Sequence, residues 1–447
     1  MRTSFLVILV SCWAWASGCS QNSVDIKPSP QQLDWQDLEM GAIVHFSTNT
    51  FLDREWGDGT ALPSDFHPDH VDTDQWMAAA KAAGIRYVVL VAKHHDGFTL
   101  WPSGQTDYGV KSSPWLDGKG DLVKMASDSA RRCGLRFGVY LSPWDRHEPR
   151  YSNPSEYDKY YLAQLEELAT GYGTLEEFWL DGAGSGGRSY DFDTIVQNLR
   201  VYQPDTQVFA DVALYKYADL RWVGTESGDV PYENWNVIDR AGYLRWRPAE
   251  ADTPLHREQW FWHPNADSTL KSVDELMDTY NRTVGRGAQL MLGLAPDRSG
   301  KIPATDVARL EEFGARIKTT YGRNLALRHS PVDRNHEQAL DGDLNTYWAA
   351  PANESLPTLT VTFSGPVTFD RTMTMERLNE GQHIEEYSIE VLEGGKWRQV
   401  AHANAIGHKK IDVFPPVTST AVRLRILSAT GAIGVREFQV FNGSSTH

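Results

Sequence analysis

The sequence predicts an α/β protein: a (β/α)8 TIM-like barrel over residues 33–322, followed by an all-β sandwich domain over residues 323–447. Three observations lead there. Between residues 33 and 321 short apolar runs alternate with helix-periodic segments, the pattern of a parallel sheet wrapped by helices. Polar residues stand at the ends of these runs, where barrel enzymes carry their chemistry. After Tyr321-Gly322 the texture changes to short alternating runs separated by Gly, Pro and Asn, as in an antiparallel sandwich.

The expected barrel strands are residues 41–46, 86–92, 136–142, 177–180, 207–211, 221–225, 259–262 and 288–294. Helices are expected at 73–83, 121–133, 155–170, 192–202, 272–284 and 305–320, several of them opened by an Asp or Ser that caps the first turn. The sixth unit is irregular, with 228–254 read as a long loop, and a loop of that length inside a compact domain is expected to be functional. In the second domain, strands are expected at 359–363, 387–392, 410–414, 421–426 and 437–441.

With 447 residues, 41% hydrophobic and 23% charged, the chain is long enough for one large domain and one smaller one. A net charge of -16 without a basic stripe argues against nucleic acid as partner and favours a neutral ligand. Sixteen Trp and 18 Tyr supply aromatic faces for stacking on sugar rings as well as for the core.

Residues 1–19 have the form of a secretory signal, too short to span a membrane. Their ending, Ala16-Ser17-Gly18-Cys19, resembles the bacterial lipoprotein cleavage box. The expectation is a chain lipid-anchored through Cys19 in a bacterial cell envelope, periplasmic or at the cell surface, with residues 20–32 as a tether; plain secretion is the other reading. Cys133 is then the remaining cysteine, and no intramolecular disulfide is available.

The stretch Glu177-Phe178-Trp179-Leu180-Asp181-Gly182 ends a buried strand in a carboxylate. Alone, Asp181 reads equally as the start of an Asp-Gly turn. The other strand ends change that: His45 follows the first strand, His94, His95 and Asp96 the second, Tyr140 lies on the third, Asp211 ends the fifth, Glu226 follows the sixth and Trp262 the seventh. The His pair lacks a carboxylate at metal-site spacing, and neighbours on a strand face opposite sides, so hydrogen bonding to sugar hydroxyls or a core role suits the histidines better than a catalytic metal. No Gly-x-Ser-x-Gly elbow is present, and the glycines at 182–187 lack the Lys-Ser/Thr of a phosphate loop. Paired carboxylates, the equipment for opening a glycosidic bond, remain.

With those residues assembled, the chain resembles the α-L-fucosidases of glycoside hydrolase family 29. The resemblance rests on His45-Phe46, Lys93-His94-His95-Asp96-Gly97-Phe98, Trp179-Leu180-Asp181-Gly182 and residues 290–300. It implies Asp181 as nucleophile of a retaining, exo-acting double displacement. The stretch Val223-Gly224-Thr225-Glu226-Ser227-Gly228 is similar to the acid/base segment of the subfamily acting on α-1,3/1,4-linked fucose, which implies Glu226 as acid/base and Lewis-type or related fucosylated glycans as substrate. Glu258 and Glu233 compete for that role. Similarity also implies that His45, Glu55, Trp56, His94, His95, Tyr140 and Trp262 line the fucose pocket, with Trp56 or Trp262 against the C5 methyl group. The segment Tyr140-Leu141-Ser142-Pro143-Trp144 departs from the family's Tyr-x-Ser-x-x-Glu-Trp form, so no carboxylate role is carried over there. The carboxylates of a retaining pair should stand roughly 5 to 5.5 Å apart. No organic cofactor is called for. A broad-specificity fucosidase, a transfucosidase and a non-catalytic carbohydrate-binding surface lipoprotein are the other readings.

The segment 339–348 resembles the Asp-Gly-x-x-x-Thr-x-Trp loop of galactose-binding-like, discoidin-type sandwiches. That resemblance implies a structural Ca²⁺ held by Asp341, Asp343, Thr346 and Glu437. An Asp-rich turn without an ion is the alternative.

Overall fold

The computed structural model describes residues 26–184, 188–210, 218–238, 244–327, 334–351, 354 and 356–443. The leader with Cys19, and Asp211 at the expected end of the fifth strand, lie outside the described residues. Among those residues no helix is long and apolar enough to cross a membrane.

In chain order the first ten strands are β1 (Met40–Val44), β2 (Tyr87–Lys93), β3 (Arg136–Leu141), β4 (Glu177–Leu180), β5 (Gln207–Ala210), β6 (Arg221–Trp222), the hairpin β7 (Val237–Ile238) and β8 (Arg245–Trp246), then β9 (Ala249–Pro254) and β10 (Gln289–Leu294). Eight of them form one parallel sheet in the order β5-β4-β3-β2-β1-β10-β9-β6. The ring closes where the N–H groups of Asp219 and Leu220 donate to Val208 O (2.9 and 3.2 Å) and Val208 N–H donates to the Asp219 carboxylate (2.8 Å). The helices are α1 (Pro30–Gln36), α2 (Thr48–Leu52), α3 (Thr73–Ala82), α4 (Leu122–Cys133), α5 (Pro154–Gly171), α6 (Phe192–Tyr202), α7 (Val273–Thr283) and α8 (Ala304–Tyr321). Asp72, Asp121, Asp191 and Ser272 cap α3, α4, α6 and α7, each accepting an N–H of the first turn.

Alternation sorts the strand residues into two cores. Ile43, Val89, Val91, Tyr140, Trp179, Phe209 and Met291 fill the barrel, while Ala42, Val44, Val88, Leu90, Val139 and Leu180 pack outward with the helices. One irregularity matters for the site. The pairing of β2 with β3 shifts between Val91 and Lys93, a bulge that adds Ala92 and reverses the in/out order beyond it. Lys93 therefore turns outward, where its ammonium meets Asp145 (3.0 Å) and Gln164 (2.9 Å) in a fully buried pocket. Burial lowers the pKa of this ammonium, and the charge and hydrogen bond of Asp145 oppose that. Removing one partner of a buried pair costs about 3–5 kcal/mol, so this contact fixes the strand end firmly.

The seventh barrel strand is a correction. It is β9, inside the segment expected to be loop, and residues 259–262 belong to the connection that follows it. The sequence Ala249-Glu250-Ala251-Asp252-Thr253-Pro254 reads as loop because its inward residues are acidic and its outward ones small. Glu250 is nevertheless buried in the barrel, accepting Tyr87 O–H (2.9 Å) and Trp179 Nε1–H (2.9 Å). Burial, together with repulsion from Glu250, raises the pKa of Glu177 well above the carboxylate range, and that of Glu250 rises to about 7. Neighbouring buried carboxyls of this kind titrate as a pair.

The second domain is antiparallel, with β11 (Trp348–Ala349), β12 (Thr358–Glu376), β13 (Ile384–Glu393), β14 (Lys396–Ala403), β15 (Lys410–Ala429) and β16 (Gly434–Phe441) in the order β11-β16-β12-β15-β13-β14. Strands expected as separate at 410–414 and 421–426 are one long strand, and β14 was not expected. Register shifts at Thr362/Val367 and Phe369/Arg371 bend the long β12–β15 pair around a core of Leu359, Phe369, Ile389, Leu424 and Phe438. This domain grips the long loop of the barrel: Tyr232 O–H donates to Asp412 (2.9 Å) and Asn236 N–H to Gln382 Oε1 (3.1 Å).

Candidate active site

At the C-terminal mouth of the barrel lies a cavity of about 240 Å³. Asp181, one residue past β4, and Glu226, four past β6, both line it. Asp181 Oδ2 accepts Tyr140 O–H (2.9 Å) and Oδ1 accepts Ala183 N–H (2.8 Å). Burial raises the Asp181 pKa above the ordinary aspartate value, and these two bonds oppose it. The turn that follows needs a glycine: Gly184 has φ of +74°, and a Cβ there would lie 1.9 Å from the Trp144 ring. Glu226 Oε2 accepts the indole N–H of Trp260 (2.9 Å).

The bulge in β2 brings His95 beside Asp181, with Nε2 3.6 Å from Oδ2. Ser142 spends its proton on Trp144 O (2.7 Å), so it accepts from His95 Nδ1–H (2.7 Å). A neutral His95 then presents a bare Nε2 toward the cavity. It is neutral at ordinary pH: burial, then the charges of Arg146 and Lys93, bring its pKa to about 3. Burial does the same to His45, also to about 3, and holds His94 well below the usual imidazole value. His45 lines the cavity; His94 packs behind it against the rings of His95 (4.2 Å between centroids) and Tyr140 (6.1 Å). His45 and His94 each keep a buried Nδ1 with no hydrogen-bond partner among the described residues.

The walls are aromatic. Trp179 stacks flat on Phe209 (3.6 Å, 5°), its indole N–H anchored on Glu250. Trp56, 50% exposed, forms the opposite rim edge-on to His95 and Trp144. The structure thus brings together Asp181, Glu226, His45, His95, Trp56 and Tyr140. It does not bring Trp262 or Glu55 to the cavity. Because 259–262 is loop, Trp260 supplies the wall, whereas Trp262 lies under Arg298 (5.5 Å) beside a second cavity. Glu55 is spent on the main-chain N–H groups of Trp260 (2.9 Å) and Phe261 (3.3 Å). Glu258 is exposed and off the cavity, and Glu233 is exposed beside the second domain.

Sequence reasoning missed Asp252, Trp222, Trp260 and Phe209, all on the cavity wall. Asp252, on β9, accepts Trp222 Nε1–H (2.7 Å); burial first, and the charge of Glu226 after it, push its pKa well above the carboxylate range. The period-two alternation of Ala with Glu and Asp in β9 was the available signal.

Among the described residues no three His, Cys, Asp or Glu side chains converge as metal ligands. In the second domain, however, Thr346 Oγ1 lies within 3.0 Å of four oxygens: Gln338 O, both Asp341 carboxylate oxygens and Asp343 O. One hydroxyl proton cannot serve four acceptors. Asp341 also faces buried Glu437, whose pKa is raised by burial and by that neighbour, while the Asp343 carboxylate is occupied by Asn345. An all-oxygen set of this kind fits a hard cation.

A parallel barrel whose mouth joins carboxylates, neutral imidazoles and stacked aromatic walls in a cavity of this size has the make-up of a glycoside hydrolase. Residues 14–321 match the family model for α-L-fucosidase, and residues 328–438 that for the F5/8 type C domain. The chain is 37% identical over 416 residues to α-L-fucosidase 1 of Arabidopsis thaliana, covering 86% of this chain and 81% of the relative. The crystal structure of a putative α-L-fucosidase from Bacteroides thetaiotaomicron superposes with a TM-score of 0.88 at 35% identity, over 93% of this chain and 97% of that one. A Ruminococcus gnavus GH29 fucosidase in complex with fucose superposes with a TM-score of 0.86 at 27% identity, over 94% and 95% of the two chains. The chain belongs to the α-L-fucosidase family of glycoside hydrolases and is, with it, an enzyme.

Tyr140→Phe removes one of the two hydrogen bonds that oppose the burial-driven rise of the Asp181 pKa. Activity that requires the carboxylate fades as pH falls through its pKa, already above the ordinary value, so in this variant the acid limb of kcat/KM moves to higher pH. At the optimum kcat falls about ten- to hundredfold, the worth of a hydrogen bond to a charged group. A pH–rate profile on an aryl fucoside checks both.

Proposed function

We propose that this α-L-fucosidase is exo-acting and retaining, with Asp181 as nucleophile and Glu226 as acid/base, and that it releases terminal α-1,3/1,4-linked fucose from Lewis-type or related glycans. What carries the reading is that both carboxylates line one cavity from separate strand ends, one deep and hydrogen-bonded, the other exposed at the rim. The Ruminococcus gnavus relative bound to fucose supports fucose as the glycone.

In the first step the Asp181 carboxylate attacks the anomeric carbon while the departing glycosidic oxygen takes the Glu226 proton; the C–O bond breaks and a glycosyl ester forms. In the second, Glu226 as carboxylate takes a proton from water, whose oxygen displaces Asp181. Bare His95 Nε2 accepts from a sugar hydroxyl beside Asp181, neutral His45 meets others, and Trp56 and Trp179 cover apolar faces of the ring. The exposed Glu226 end, flanked by Trp222 and Trp260, receives the leaving sugar.

Replacing Glu226 by Ala separates this from the competing readings. Loss on a Lewis trisaccharide should exceed loss on an aryl fucoside by about a hundredfold, because a good leaving group needs little protonation. Equal losses would remove Glu226 from the role, and faster wild-type cleavage of an α-1,2-fucosyl lactose than of Lewis trisaccharides would remove the linkage assignment.

For the second domain we infer a bound Ca²⁺, held by the carboxylates of Asp341 and Glu437 and by the oxygens of Gln338, Asp343 and Thr346. The ion would brace the loop before β11. After chelation, added Ca²⁺ should raise the melting temperature, by about 2.7 kcal/mol of stability at a hundredfold excess over Kd, and Glu437→Gln should abolish the shift. An unchanged melting curve in the wild type would mean an ion-free turn.

A further inference from the structure

One imidazole on the loop after β9 meets two carboxylates on the loop after β1. His263 Nδ1 lies 2.6 Å from Asp53 Oδ1, and its Nε2 lies 2.5 Å from Glu55 Oε1. Each contact needs an N–H, and only the imidazolium carries two. Glu55 passes the constraint on: it accepts the main-chain N–H groups of Trp260 and Phe261, and the Trp260 indole donates to Glu226 Oε2 (2.9 Å). An unbroken series of bonds thus runs from Asp53 through His263, Glu55 and Trp260 to Glu226.

We propose that His263 is a positioning residue for Glu226: its imidazolium clamps the Trp260 loop to the rim of β1 and so holds the indole N–H that orients Glu226 for proton donation. The proposal rests on the reading of Glu226 as acid/base. The geometry is local to an exposed rim. His263 is 17% exposed at its side chain, Glu55 31% and Asp53 50%. Asp53 is held in place by its own backbone, at the left-handed C-cap of α2 (φ 58°), where its N–H donates to Asn49 O.

Other charges face the ring as well. Asp53 and Glu55 approach from the β1 side. Asp267 and the His256–Asp306 pair (3.0 Å) share with His263 a cavity of about 140 Å³ behind the loop, and Arg298 lies over the neighbouring Trp262. Burial pulls the His263 pKa down, and the bonds and charges of Asp53 and Glu55 more than reverse it, leaving it above the ordinary imidazole value. The clamp is therefore complete at and below the ordinary imidazole pKa and is lost as pH rises through the raised one. The neutral ring then has one N–H for two carboxylates, and the other carboxylate meets a nitrogen lone pair.

The consequence falls on proton donation and not on the glycone pocket, which His263 does not touch. Four variants separate the possibilities: His263→Gln, Asp53→Asn, His263→Arg and Glu226→Ala, each assayed for kcat and KM against pH on an aryl fucoside and on a fucosylated oligosaccharide. His263→Gln and the surface change Asp53→Asn should lower kcat on the oligosaccharide about tenfold, within the range of acid catalysis, and leave the aryl fucoside within about twofold. The alkaline limb on the oligosaccharide should shift with them. His263→Arg, whose guanidinium stays charged and can meet two carboxylates, should recover most of the rate and extend the alkaline limb to higher pH. Equal losses on the two substrates in the His263 and Asp53 variants, or profiles that superimpose on the wild type, overturn the clamp. If that happens while Glu226→Ala still shows its selective loss, the clamp alone fails; if Glu226→Ala itself loses both activities equally, the acid/base reading and the clamp fail together.

Discussion

The buried ammonium of Lys93 is the contact on which the active-site geometry depends. A β-strand sends neighbours to opposite faces, and without the bulge beside Val91 the order of β2 would aim Lys93 into the barrel. Asp145, Gln164 and Tyr157 hold the ammonium outside instead, behind the wall. The price is a charge buried between strand and helix; the return is that His95 sits at the mouth with His94 packed behind it. His95 then reaches Asp181, and Ser142 fixes which of its nitrogens faces the cavity. A local break in a ladder thus becomes a chemical arrangement.

A second constraint works from below. Glu177 and Glu250 face each other inside the barrel, where burial raises the pKa of both, and Glu250 anchors Trp179 and Tyr87 at once. Trp179 immediately precedes Leu180 and Asp181, so the same strand that carries the carboxylate is pinned at its foot by Glu177 and in its middle by this indole. Packing Trp179 on Phe209 leaves the wall rigid and flat, which suits a sugar ring. Fold and site are in this sense one structure: acidic residues that look out of place in a strand hold the aromatic surface on which binding relies.

Much of this was legible in the residues, and the failures share a cause. Six helices were legible from their apolar rhythm, four of them (α3, α4, α6 and α7) also from an Asp or Ser cap, and Asp181 and His45 because each ends an apolar run. Strand β9 was hidden because its inward positions are Glu250 and Asp252, whose burial is compensated by partners remote in sequence: Tyr87, Trp179 and Trp222. That error displaced the seventh strand and so put Trp262 where Trp260 belongs. Glu55, expected to line the pocket, bonds to two main-chain N–H groups of the Trp260 loop, contacts that no side-chain pattern reports. The merging of two expected strands into β15 has a simpler origin, since Pro415 and Pro416 read as a break but the strand bends through them.

The second domain adds support from outside the barrel. Tyr232 and Asn236 lie on the loop that follows Glu226, and both are bonded to the sandwich, so the Glu226 segment is braced from one side by that domain and from the other by Trp260. The central proposal is that Asp181, deep in the cavity, forms a covalent bond to the sugar. Incubation with a 2-deoxy-2-fluoro fucosyl donor, followed by intact-mass measurement and peptide mapping, tests it most directly. Covalent catalysis by Asp181 gives an increase of one fluoroglycosyl unit, mapped to the peptide bearing Asp181. An adduct on another residue, or product of inverted anomeric configuration with no adduct at all, would contradict it.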